Sequence, residues 1–194
     1  MKKPIIAILL AAVILFAVSA GVDSIAAANA QKAHEELMQT LLPGATEFTV
    51  EPHTWEDTNI VSVHKSDLGF VVETKTYGYA GDITMLVGVS NAGKVTGLVV
   101  REAHETFGLG GNALSDHEFL AQFLNQSGSF EVATVGEDAF SGATAEAETE
   151  GEAIGVDAIT GATVTSKAVV RCVNSAVAYV TGADATTEAT SWGG

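Results

Sequence analysis

The chain has 194 residues, with 9 Lys and Arg against 24 Asp and Glu and a net charge of −15. That length allows one membrane segment and one domain of ordinary size with a real core. The charge excludes a nucleic-acid binder, because nothing here would neutralise a run of phosphates. A single cysteine, Cys172, excludes an internal disulfide framework, an iron–sulfur cluster and a cysteine-built zinc site.

The apolar run Pro4–Val22 carries no charge, follows Lys2 and Lys3, and ends before Asp23. It is long enough to span about 30 Å of hydrocarbon. The lysines put the N-terminus in the cytoplasm and the remaining chain outside it. The rival reading is a cleaved signal peptide with Ala28-Asn29-Ala30 as its Ala-x-Ala site. The run exceeds the usual 7–15-residue apolar region of a signal, which favours an uncleaved anchor. Residues 31–42 read as a short amphipathic helix with Leu37, Met38, Leu41 and Leu42 on one face, stopped by Pro43-Gly44. Short strands follow around Phe48–Val50 and Ile60–His64.

The clearest β region comes next. Gly69–Thr76 is β-branched and bounded by glycine. Ile83–Val89 leads through Asn91–Lys94 into Val95–Val100, the pattern of a hairpin with a short loop containing glycine. The segment His104-Glu105-Thr106-Phe107-Gly108-Leu109-Gly110-Gly111 then brings its backbone close to something, or simply turns. His104 has no second His or Cys at ligand spacing, so it is a poor metal ligand. Ser115–Glu118 has the form of a capping box, with Leu114 and Phe119 as the hydrophobic staple, opening a helix to about Asn125. Phe130–Val135 reads as another strand. Residues 136–153 hold Glu137, Asp138, Glu146, Glu148, Glu150 and Glu152 among small residues, and read as a solvated insertion.

The richest stretch is Asp157-Ala158-Ile159-Thr160-Gly161-Ala162-Thr163-Val164-Thr165-Ser166-Lys167. An apolar series of helical period follows: Val169, Val170, Val173, Ala176, Val177 and Val180. Thr163 or Thr165 is the expected N-cap and Gly182 the expected stop. A helix start offers unpaired N–H groups and about half a positive charge, which suits a phosphate. The bland alternative is an ordinary capped helix after a Thr-rich turn. Cys172 falls within this helix and reads as a small buried residue. Residues 183–194, with Trp192, read as a loose tail.

The string Asp-x-x-Thr-Gly-Ala-Thr-x-Thr resembles the flavinylation motif of the FMN-binding domain family. That family includes the G subunit of the Rnf complex and the C subunit of the sodium-pumping NADH:quinone oxidoreductase. The resemblance implies that a flavin transferase joins FMN through a phosphoester to the last threonine, here Thr165. Physical chemistry alone does not choose between Thr163, Thr165 and Ser166; the register of the motif does. Asp138–Glu146 repeats the pattern with Glu146 at the acceptor position, and a carboxylate cannot form that ester. Gly78-Tyr79-Ala80-Gly81, the hairpin, and the His104–Gly111 loop also follow the family's order. Phe107 stands where the family has proline, and Asp82 follows Gly81 where proline is common. The resemblance implies a phosphate at Thr165, with Gly161, Ala162, Thr163, Val164 and Ser166 around it. It implies an isoalloxazine ring against Glu105, Thr106, Leu109 and Gly110.

The expected architecture is α+β: one N-terminal transmembrane helix, then a small twisted antiparallel sheet with packed helices. Residues 1–30 would hold the cytoplasmic N-terminus, anchor and linker, 31–182 an extracytoplasmic FMN-binding domain, and 183–194 a flexible tail. The expected function is a single-pass electron carrier of the cell membrane in an Rnf-type ferredoxin:NAD ion-translocating complex, with covalent FMN. Its partners would be the other membrane subunits and the flavin transferase. The chain shows no dinucleotide fingerprint and no acid–base constellation of its own, so electrons would enter and leave through partners. The alternatives are the C subunit of the sodium-pumping oxidoreductase, a stand-alone flavin carrier, or an anchored scaffold without flavin.

Overall fold

A computed structural model describes residues 28–106, 110–133 and 153–182. The Pro4–Val22 run, the second motif copy at 138–146, nearly all of the acidic stretch, and Trp192 lie outside the described residues. No helix among the described residues is long and apolar enough to cross a membrane. The chain divides into two compact units, Met1–Leu37 and Met38–Gly194.

A helix, α1, covers residues 28–41, close to the expected 31–42. In the first unit its exposed face carries a Lys32–Glu36 ion pair one turn apart, at 3.8 Å. The second unit is α+β. Its main sheet is an antiparallel meander of β1 (Thr49–Val50), β2 (Ile60–Lys65), β3 (Gly69–Tyr77), β4 (Asp82–Ser90) and β5 (Val95–Ala103), hydrogen-bonded in that order. The pairing Val72↔Val87, with Val87↔Leu98, sets one face. The pairing Val71↔Gly88, with Gly88↔Gly97, sets the other. This is the two-residue alternation of a pleated strand.

The glycines of that second face have a packing role. A Cβ on Gly97 would sit 3.0 Å from the Leu41 carbonyl oxygen, so the end of α1 lies on the bare backbone of β4 and β5. The Thr96 hydroxyl donates to the same Leu41 carbonyl at 2.6 Å, which satisfies one of the helix's terminal acceptors. Met38, Leu41, Leu42 and Ala45 are buried there.

The first face carries the larger core. Helix α4 (Thr163–Thr181) packs across β3 and β4 and against β6 (Phe130–Ala133), which pairs in parallel with β7 (Ile154–Asp157). Its buried stripe includes Ala168, Val169, Val173, Ala176 and Val177. The helix ends as expected at Gly182, whose φ of 69° is left-handed and whose N–H donates to Ala178 at 2.9 Å. The small polar members of the stripe meet polar partners. Thr76 donates to the Ala168 carbonyl at 3.1 Å and lies 3.3 Å from the Cys172 sulfur. Cys172 is fully buried, and burial pushes its thiol pKa up. Asn174 clamps β6 by accepting from Phe130 N–H at 2.9 Å and donating to its carbonyl at 2.8 Å.

Three local expectations are corrected. The cap of α3 (His117–Ala121) is Asp116, not Ser115: its carboxylate accepts from Glu118 N–H at 2.9 Å and Phe119 N–H at 3.0 Å. A carboxylate at a helix start gains from the dipole as well as the hydrogen bonds. Ser115 instead bonds the Gly111 carbonyl, at 3.3 Å. The helix also stops before Asn125, because the chain turns to pair with β5: Asn125 N–H reaches Val95 O at 2.8 Å, and Val95 N–H reaches Gln126 O at 2.9 Å. Finally, neither Thr163 nor Thr165 caps α4. Ala162 precedes the helix and makes no side-chain cap hydrogen bond.

Candidate functional site

The turn before α4 is pinned from inside the helix. Gly161 has φ 80°, a conformation that favours glycine, and Ala162 N–H closes onto Ile159 O at 2.9 Å. The buried Ser166 hydroxyl reaches back, donating to Ala162 O at 3.0 Å and accepting from Ile159 N–H at 3.3 Å. Ser166 therefore holds the turn with its own oxygen. On the far side, Gln122 accepts from Asp157 N–H at 2.8 Å and donates to its carbonyl at 3.4 Å, tying the start of the motif to the α3 segment.

With Ser166 occupied and no capping side chain, the first amides of α4, those of Thr163, Val164 and Thr165, are the unpaired donors of a helix start among the described residues. Thr163 is exposed, Val164 is half-buried, and Thr165 is only 1% exposed. The three residues thus turn in different directions within one helical turn.

Two other segments meet at Glu105, beside Thr165. The turn Gly78–Gly81 joins β3 to β4 and is closed by Gly78 N–H to Gly81 O at 2.8 Å. Tyr79 N–H donates to Glu105 Oε1 at 2.7 Å. Gly78 lies beneath that carboxylate, and a Cβ there would run into Glu105 Oε1 and the Ile83 side chain, so those side chains would have to shift. Gly81 lies against His104, where a Cβ would be 2.8 Å from its carbonyl oxygen. Arg171 of α4 holds the same turn by donating to Tyr77 O at 2.8 Å. Lys75 and Asp82 flank it as an exposed ion pair at 2.7 Å, and the hydrogen bond to Asp82 raises the Lys75 pKa.

Gly110, the first residue of the short helix α2 (Gly110–Ala113), completes the group. A Cβ on Gly110 would lie 2.5 Å from Glu105 Oε2 and 2.7 Å from Thr165 Oγ1. The carboxylate and the threonine hydroxyl therefore face the same small space, and only a glycine leaves it open. Glu105 Oε2 is buried and has no hydrogen-bond partner among the described residues. An unpaired buried carboxylate oxygen is costly in an ordinary core.

Glu105, Gly110 and Thr165 are thus brought together from separate parts of the chain. Thr106 is exposed, its carbonyl accepting from Gly111 N–H at 3.2 Å, and Leu109 lies outside the described residues. His104 points elsewhere, 3.7 Å from Glu102. The groups that suit a phosphate are the uncapped amides at the start of α4, while the space over Gly110 is too tight even for a methyl. Among the described residues at this space, the group that opposes a phosphate is the Glu105 carboxylate.

Residues 78–178, just over half of the chain, match the model of the FMN-binding domain family. The chain belongs to that family. The matched span of this FMN-binding domain begins at the Gly78 turn and ends inside α4, so it contains all three converging segments. The chain is 37% identical over 111 residues to the G subunit of the Na⁺-translocating ferredoxin:NAD⁺ oxidoreductase complex of Acetobacterium woodii, a match that spans 57% of this chain and 48% of that protein. It is 29% identical over 180 residues to the G subunit of the proton-translocating ferredoxin:NAD⁺ oxidoreductase complex of Clostridium ljungdahlii, across 93% of this chain and 89% of that one. It is 34% identical over 158 residues to the G subunit of the ion-translocating oxidoreductase complex of Methanosarcina acetivorans, across 75% and 74% of the two chains.

Two participants in this FMN-binding domain's site are absent from the sequence reading. One is the Tyr79 amide as partner of Glu105; no spacing rule links a turn amide to a carboxylate so far along the chain. The other is the structural duty of Ser166, whose only signal is a hydroxyl four residues after Ala162, the distance at which a side chain can bond back to a helical carbonyl.

Proposed function

We propose that the protein is a membrane-anchored electron carrier with FMN joined to Thr165 by a phosphoester, acting as the G subunit of an Rnf-type ion-translocating ferredoxin:NAD oxidoreductase. The observation that carries this reading is the meeting of Thr165, in the first turn of α4, with Glu105 and Gly110. The family match and the complexes to which the three relatives belong support it. The Pro4–Val22 run anchors the chain, and residues 31–182 form the extracytoplasmic domain. Electrons pass to and from the flavin through the other membrane subunits.

The attachment balances as a phosphoryl transfer. Thr165 Oγ1 bonds to the phosphorus of an activated flavin nucleotide whose FMN phosphate is held in a phosphoanhydride. The anhydride P–O bond breaks, the leaving phosphate takes its electron pair, and the hydroxyl proton is released. Bound there, the flavin supplies the redox chemistry, and the protein supplies position and electrostatics. The first amides of α4 donate to the phosphate. A covalent tether keeps the cofactor at high effective concentration where free FMN would be lost.

The test is co-expression with a flavin transferase and Mg²⁺, followed by denaturation and in-gel flavin fluorescence. The wild-type band fluoresces and Thr165→Ala is dark, while Thr165→Ser keeps some label. Thr163→Ala keeps the acceptor and weakens labelling. Peptide mass spectrometry finds one FMN per chain, on Thr165, and none on Ser141 or Thr144. A fluorescent Thr165→Ala band, or a dark wild type beside an active transferase, overturns the reading.

A further inference from the structure

We infer that the Glu105 carboxylate guards the Thr165 hydroxyl, so that a phosphoester on Thr165 and the Glu105–Tyr79 hydrogen bond exclude each other. The inference rests on the reading of Thr165 as the flavin acceptor, and adds what controls access to it. Thr165 is 1% exposed, so a phosphate on its oxygen must displace a neighbour. Among the described residues, the Gly110 backbone and Glu105 Oε2 border the space that the Thr165 hydroxyl faces. The backbone of Gly110 is held by hydrogen bonds through α2, with Leu114 N–H on its carbonyl at 3.2 Å. The carboxylate is held by one bond, Tyr79 N–H to Oε1 at 2.7 Å, and its other oxygen has no partner among the described residues. Glu105 is therefore the part that gives way.

Charge acts in the same direction. A phosphoester and a carboxylate sharing one partly buried space repel, and the low dielectric of such a space strengthens the repulsion. Once the phosphate is attached, Glu105 swings out, its bond to Tyr79 breaks, and the Gly78–Gly81 turn loses one of its ties. Attachment of the flavin is thus coupled to the turn through one side chain. Until attachment, the same side chain slows modification.

Amide hydrogen exchange at Tyr79 and the rate of flavin labelling test this together. In the wild type, Tyr79 exchange should rise by about tenfold once FMN is attached, as one charge-assisted hydrogen bond is lost. Glu105→Ala should label about tenfold faster than wild type under the same transferase, and its Tyr79 amide should already exchange fast before labelling. Glu105→Gln keeps an oxygen for Tyr79 N–H but removes the charge, so it should label at an intermediate rate with Tyr79 protected beforehand. Unchanged Tyr79 exchange on attachment, or a Glu105→Ala rate at or below wild type, overturns the inference while leaving Thr165 as the acceptor. If Glu105→Ala fails to fold, the wild-type exchange and Glu105→Gln decide. A wild type that takes no flavin from an active transferase overturns the acceptor reading and this inference with it.

Discussion

Gly110→Ala puts a single carbon into the space between Glu105 and Thr165, and its effect can be worked out from the contacts. The new Cβ would stand 2.5 Å from Glu105 Oε2 and 2.7 Å from Thr165 Oγ1, both too close for a carbon, so Glu105 must move away and the backbone at 110 must back off from Thr165. Thr165 is buried, β-branched and fixed in a helix, which leaves its χ1 little freedom. Glu105 is longer and, among the described residues, held only by Tyr79 N–H, so it moves and that bond is lost, at about 1.5–3 kcal/mol. Gly110 has no left-handed backbone to strain, and alanine gains up to about 1 kcal/mol over glycine in a helix. The net is a destabilisation of about 1–2 kcal/mol, read as a fall of about 2–8 °C in Tm for a domain of this size. Flavin labelling separates this variant from Glu105→Ala. Both free the Tyr79 amide, but the alanine at 110 puts its methyl on the acceptor oxygen, so labelling slows instead of speeding up. A Gly110→Ala protein that melts and labels like wild type would refute the placement of all three residues.

Asn174→Ala strands the backbone N–H and carbonyl of Phe130 at the edge of the core, and should cost about 2 kcal/mol or more in a denaturant titration. Cys172 should resist thiol reagents in the folded protein and react fully in denaturant, since burial holds its pKa above the ordinary thiol range. A raised folded pKa means that this contribution to stability is complete below the unfolded thiol value of about 8.5 and is lost as pH climbs past it. Cys172→Ala should flatten the alkaline limb of a stability–pH curve, and an unaltered limb would count against burial as its cause. N-terminal sequencing of the mature protein should begin ahead of Gln31; a chain that starts there would mean a cleaved signal in place of an anchor.

The sheet was legible because its signals are local. Gly69–Thr76, Ile83–Val89 and Val95–Val100 are β-branched runs separated by short glycine-containing turns, and they became β3, β4 and β5 with ends shifted by at most three residues. Helix α4 was legible from its apolar period and from Gly182 at its end. Strand β7 was not: Ile154–Asp157 is four residues long, abuts an acidic stretch, and is a strand only because Phe130–Ala133 pairs with it. The glycines at 88 and 97 also kept their meaning hidden until the pairing register put them side by side under Leu41.

The same division runs through the site. The motif register singled out Thr165, and the Gly-rich loop supplied Glu105 and Gly110, but local pattern could not say that the three share one space. Hydroxyl count also misled about the cap, because the side chain that orders the turn belongs to Ser166, inside the helix, and not to the threonines ahead of it. That substitution has a chemical consequence. A threonine at the cap would have committed its oxygen to the first amides of α4. Pinning the turn with Ser166 leaves those amides and the Thr165 hydroxyl both uncommitted, at the cost of a buried Thr165 that packs as part of the core. On the proposed attachment, stability favours covering that oxygen and phosphoryl transfer favours baring it. Glu105 would meet both demands, since among the described residues its carboxylate is held by one hydrogen bond and an added negative charge would drive it away.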